Sequence, residues 1–100
     1  MIVLTKLTTG EEIVSDTEIR EVKGVPVCML IKPCLLLTVP TEKGMGVQLV
    51  PWLMYAKNHI VPYPLDMIAT QVELESEIYN KYNSLFGSGI QIPDQKIALQ

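Results

Sequence analysis

Positive charge is scarce in this chain. Its 100 residues carry 8 Lys and Arg against 11 Asp and Glu, for a formal net charge of −3. Arg20 is the sole arginine, and no basic run occurs. Nucleic-acid binding draws most of its affinity from Lys and Arg on phosphates, so this balance counts against broad, nonspecific RNA or DNA binding. Histidine is scarcer still, with His59 alone. A lone histidine cannot build a zinc site, which needs several His or Cys. The two cysteines, Cys28 and Cys34, form no CxxC pair and stand in an apolar run, so they read as buried free thiols. There is no Gly-rich phosphate loop and no nucleophile motif. The expectation is a protein that is not an enzyme and has no cofactor or metal. The apolar runs fall far short of the roughly 20 residues of a membrane span. The opening MIVLTKL lacks the basic region of a signal peptide. We therefore expect a soluble, cytoplasmic protein without a membrane partner.

What the chain does have is apolar residues, 48% of the total, a high fraction for one small domain. Some of that surface is expected to meet another subunit, because large apolar patches mark interaction sites.

The pattern is mostly that of strands. Residues 1–7 and 11–20 read as a hairpin around Thr8-Thr9-Gly10. After Lys23-Gly24, the stretch VPVCMLIKPCLLLTV is interrupted by Lys32-Pro33. Proline cannot donate a ladder hydrogen bond, so two segments, 25–31 and 34–39, are predicted to meet at a corner. Further strands are predicted at 46–55, 59–63 and 65–70. From Glu73 the spacing turns helical, with Leu74, Ile78, Tyr82 and Phe86 on one face. Acids at 73, 75 and 77 suit the positive end of the helix dipole, and Gly87 suits its C-cap. The fold class is therefore mainly β, a small barrel of about five strands with one C-terminal helix. The domain reading is a barrel over 1–72, a helix over 73–87 packed on it or on a neighbour, and a polar tail over 88–100.

Two places resemble a known family. Leu7-Thr8-Thr9-Gly10-Glu11-Glu12-Ile13-Val14-Ser15 is similar to the opening hairpin of the Sm-like (Sm/LSm/Hfq-type) proteins. Tyr63-Pro64-Leu65-Asp66-Met67-Ile68 is similar to their second signature, in which Asp or Asn, one residue and Ile open the last strand. The match covers about residues 1–70. With its helix ending YNKYNSLFG, the whole chain looks like the Sm-like proteins of tailed phages of marine bacteria (cyanophage-like), which would place it in the host cytoplasm. The resemblance implies an SH3-like barrel that assembles into a homo-oligomeric ring. In such rings the fourth strand of one subunit pairs with the fifth of the next. The family usually begins with a helix, whereas this chain starts in a strand. RNA-binding members place an Asn after the second strand and an Arg-Gly or Lys-His before the last. The matching positions here, near Pro33-Cys34 and Pro64-Leu65, can do neither job. The family's RNA-reading chemistry does not carry over residue by residue.

Several residues are candidates within that frame. Lys32, Lys57, His59 and Tyr63 are candidate pore or nucleic-acid contacts. Turn-borne lysines repeated around a ring become a circle of positive charge, and Tyr63 can stack on a base. Against this, scattered lysines are usually a solvated surface, His59 an ordinary loop residue, and aromatics more often core or interface. Ile60, Val61, Met67, Ile68 and Trp52 are candidates for the subunit interface, because the late strands carry little charge. Glu73, Glu75 and Glu77 mimic a metal cluster, but residues two apart on a helix diverge. Two functions are compatible: a non-enzymatic ring scaffold with a protein partner, or an Sm/Hfq-like ring engaging single-stranded RNA at its pore.

Overall fold

A computed structural model describes residues 1–86. It contains strands β1 (Ile2–Leu7), β2 (Glu12–Val22), β3 (Val25–Thr41), β4 (Gly44–Pro51), β5 (Ile60–Pro64) and β6 (Ile68–Glu73), followed by helix α1 (Ser76–Phe86). Single 3-10 turns, Lys57–His59 and Leu65–Met67, precede β5 and β6. The expected class holds: one antiparallel sheet and one C-terminal helix. The described residues hold six strands, in the order β4-β3-β2-β1-β6, with β5 also paired to β3. No helix of the described residues is long and apolar enough to cross a membrane.

The turns follow local chemistry. Gly10 takes φ 107° between β1 and β2. The Thr9 hydroxyl donates to the Glu11 carboxylate there, holding that carboxyl below its ordinary range. Lys23 and Gly24, with φ 52° and 81°, form the tight turn whose twist suits a two-residue hairpin. The loop after the second strand is thus Lys23-Gly24. Pro33-Cys34, aligned above with that loop, lies buried within β3.

The corner falls at Lys32-Pro33, inside one continuous strand rather than between two. Lys32 adopts φ 51°, in the left-handed region. On either side, Val14 pairs with Cys34 and Asp16 with Ile31, so β3 holds one residue more than β2 across the same interval. An extra residue of this kind is a bulge, and a one-residue slip exchanges the two faces of a strand. Cys28 and Leu30 accordingly point into one core cluster with Leu7, Ile13 and Val61. Past the bulge, Leu35 joins that cluster while Cys34 turns to a second one. That second cluster lies under α1, with Val14, Ile78 and Tyr82 at its centre and Leu36, Val47 and Leu49 around it. Full burial of Leu7, Ile13 and Leu30 contributes about 1.5–3 kcal/mol each.

Three boundaries differ from the sequence expectation. Pairing with β1 carries β6 through Glu73, so the helix begins at Ser76. The strand expected over 46–55 stops at Pro51, and the chain leaves the sheet there. Residues 65–67 form a turn, and the last strand shifts to 68–73. The Gly87 cap and the tail over 88–100 lie outside the described residues.

Candidate functional site

Two features stand out: the corner of β3 and the open edges of the sheet. At the corner, the carbonyls of Ile31 and Lys32 are open toward α1. The Tyr82 hydroxyl of α1 donates to them, at 3.2 Å and 2.8 Å. Burial pushes the Tyr82 phenol well above its ordinary range, so it stays a donor. Phe86, one turn on, stacks at 4.9 Å from Tyr82 and 5.8 Å from His59. The Lys32 ammonium lies 6.0 Å from the Phe86 ring.

His59 therefore sits between α1 and the corner. It and Asn58 both hold left-handed backbone, at φ 53° and 57°. Its Nε2 is buried and has no hydrogen-bond partner among the described residues. Burial lowers its pKa below the ordinary 6.5, opposed by a hydrogen bond with the Trp52 backbone and reinforced by the charge of Lys32. Both burial and Lys32 thus favour the neutral form of the ring. Cys34, beneath the same helix, is pushed up to about 12 by burial and is an inert thiol. Among the described residues, no group of three His, Cys, Asp or Glu side chains is placed to hold a metal ion.

Of the four candidate contacts, Lys32 and His59 come together here. Lys57 is exposed on the adjoining turn. Tyr63 is half-buried and packs on the core beside Trp52, with ring centres 6.3 Å apart. Among the interface candidates, Val61 is a core residue, 8% exposed, and Trp52 and Ile68 pack against the same core. Ile60 is half-buried, and Met67 is exposed, accepting a hydrogen bond from Thr8. The sequence reading weighs Tyr55 with Trp52 as a stacking or contact residue within a strand, but an apolar knuckle outside the sheet follows Trp52. Leu53 and Met54 are exposed there, and Tyr55 is 95% exposed. Pro51, which ends β4, was the signal available for it.

The hydrogen-bonding sense of each edge follows from the pairing registers. Leu7 N–H donates to Glu11 and Thr17 N–H to Met1, which directs the odd residues of β1 to β2 and the even ones to β6. Antiparallel pairs alternate in this sense. Thr70 and Val72 then face β1, and Gln71 and Glu73 direct their N–H and C=O groups outward. Carried through β2 to β3, the alternation makes Cys28–Tyr63 and Leu30–Val61 the hydrogen-bonded pairs of β5. Ile60, Pro62 and Pro64 face outward. Proline has no N–H, and Ile60 N–H already donates to Lys57. The outer edge of β5 therefore accepts hydrogen bonds but has none to give. On β4 the outward residues are Met45, Val47, Leu49 and Pro51, the partners of Pro40, Thr38, Leu36 and Cys34.

No protein-family model matches this chain, and no curated protein matches it.

Proposed function

We propose that the chain is a non-enzymatic, Sm-like subunit of a homo-oligomeric ring that acts as a scaffold for a protein partner. The observation that carries this reading is the complementarity of two sheet edges. β5 offers only carbonyls, at Ile60, Pro62 and Pro64, while β6 offers the N–H groups of Gln71 and Glu73, which have no strand partner among the described residues. Two β5 edges cannot pair with each other, because neither donates. A β5 edge can pair with the β6 edge of a second copy. Such head-to-tail contact closes into a ring where the rotation permits. It also covers strand edges that natural sheets otherwise guard. The pairing matches the fourth-to-fifth-strand contact that the resemblance implies, with β4 and β5 together in the place of the fourth strand.

Scaffold is favoured over RNA binding by the placement of aromatic residues. Tyr63 packs inward on Trp52, whereas Leu53, Met54 and Tyr55 form an exposed apolar knuckle suited to a protein surface. The test is the mass of the native particle by light scattering, with and without oligo-U and oligo-A at two salt concentrations. A ring indifferent to both oligonucleotides is expected. Glu73→Pro, which removes an outward donor without touching a β1 hydrogen bond, is expected to shift the particle toward smaller species. A monomeric wild type overturns the ring. Mass gained with RNA at low salt and lost at high salt replaces the scaffold with the RNA-binding reading.

A further inference from the structure

We propose that the outer edge of β4 pairs antiparallel with the β4 edge of a second copy of this chain, in a twofold contact separate from the ring. From Leu36 to Thr41 and from Gly44 to Leu49, β3 and β4 pair only with each other among the described residues, because the pairing of β2 with β3 stops at Leu35. A two-stranded hairpin is marginal in water and needs a third strand or a packed helix. Helix α1 covers one face, at Leu36, Val47 and Leu49. The two edges of the arm differ. On the β3 side, Pro40 falls among the outward residues and guards the edge. On the β4 side, Met45, Val47 and Leu49 direct both N–H and C=O outward and have no strand partner among the described residues. No charged side chain guards that edge from Gly44 to Pro51.

The edge is complementary to itself. A β5 edge only accepts, and so cannot meet its own copy, whereas β4 both gives and accepts at each outward residue from Met45 to Leu49. With Val47 opposite the partner's Val47, Met45 lies opposite the partner's Leu49, and every outward N–H and C=O in that span is satisfied. Pro51, which has no N–H, falls beyond the pairing. The axis of this isologous contact stands perpendicular to the sheet, so both helices stay on one face. On that face a groove of about 400 Å³ separates β4 from α1, lined by Val47, Gln48, Leu49, Lys81, Ser84 and Leu85. Alternate residues of a strand share a face, so the partner's Met45 enters this groove beside Leu49. In the single chain Met45 is 69% exposed and Leu85 47% exposed, and the contact covers both. Lys81 is exposed, so its charge keeps its water. Over both copies the pairing buries on the order of 1,000 Å², the threshold for a specific contact, so it is expected to be weak and concentration-dependent. The β5 and β6 edges stay free for the ring, and several copies held in one ring strengthen the contact by avidity.

The experiment is light scattering of the full-length Glu73→Pro variant, which lacks the ring contact, across a wide range of concentration. A monomer that becomes a dimer as concentration rises is expected. Adding Met45→Lys, at an exposed residue, buries an unpaired charge in the contact and is expected to raise the dissociation constant of the dimer at least about tenfold. Amide exchange on the same samples reports the edge itself. Val47 and Leu49 are expected to gain protection with concentration, while Gln48, bonded to β3, stays protected throughout and reports the fold. A wild-type ring whose Glu73→Pro form is a monomer at every concentration overturns this inference and leaves the ring standing. A dimer in both the wild type and Glu73→Pro, lost in Met45→Lys, overturns the ring and leaves this inference standing. A dimer that Met45→Lys does not weaken overturns the inference. So does protection of Val47 and Leu49 at every concentration, which assigns the edge to the chain itself.

Discussion

The two halves of β3 belong to one strand but do different work. Before the corner, Val27 to Ile31 pairs with β5 and buries Cys28 and Leu30 in one core cluster. After it, Cys34 to Thr41 pairs with β4 and turns Cys34 and Leu36 toward the helix. Residues of even number face one core in the first half and another in the second. A single extra residue at Lys32 makes the difference. A small protein can thus cover both faces of one sheet by reversing the inward direction once, without a second domain.

The largest effect should come from truncating each half. Leu30 is fully buried, so Leu30→Ala is expected to cost roughly 3 kcal/mol. Leu36 is half-buried, and Leu36→Ala should cost roughly half as much. Urea denaturation of the two variants measures the gap, and equal costs would mean that the two cores are equally closed. A smaller effect is expected at the pivot. Lys32→Val places a β-branched residue at positive φ and should destabilise by about 1–2 kcal/mol. Lys32→Gly removes that strain and should stay within about 0.5 kcal/mol of the wild type or exceed it. Thermal melts of the pair separate backbone strain from loss of the lysine itself, because both variants lack the side chain.

The smallest effect concerns His59, which braces the corner from the side of β5. Its folded pKa lies below the ordinary 6.5, chiefly through burial. The unfolded chain therefore binds the proton more readily. The stability owed to a neutral ring is complete above the ordinary value and is lost as pH falls through it toward the folded one. Denaturation midpoints from pH 7 to pH 5 should decline, and His59→Gln should flatten that slope. An unchanged slope would remove His59 from the brace.

Much of this was legible in the residues. The hairpin around Gly10 and the break at Lys23-Gly24 follow from glycine's freedom at positive φ. Pro33 announced the corner, since proline interrupts a ladder wherever it stands. The face of α1 was readable from Ile78, Tyr82 and Phe86, because helical spacing is a local signal. The start of α1 was not. Glu73 has good helical credentials, but pairing with Val3 holds it in β6. The two-core division was hidden for the same reason, because a bulge shows itself only through the register of its partner strand. Likewise, nothing local marks Asn58 and His59 as left-handed. The candidate contacts Lys32 and His59 were picked out singly, and only the tertiary fold brings them to one corner. The sense of the β5 edge was written in Pro62 and Pro64, but it became readable only once Cys28 was seen opposite Tyr63.

The Tyr82 hydroxyl has a consequence for the order of folding. The carbonyl of Lys32 waits for a donor 50 residues further along the chain. Until α1 docks, the bend in β3 leaves the Lys32 carbonyl to water. Hairpins close in microseconds, whereas contacts of long sequence separation come later. Docking of α1 thus supplies the donor that the bent strand needs, and favours the bend by the worth of one hydrogen bond, ~1 kcal/mol.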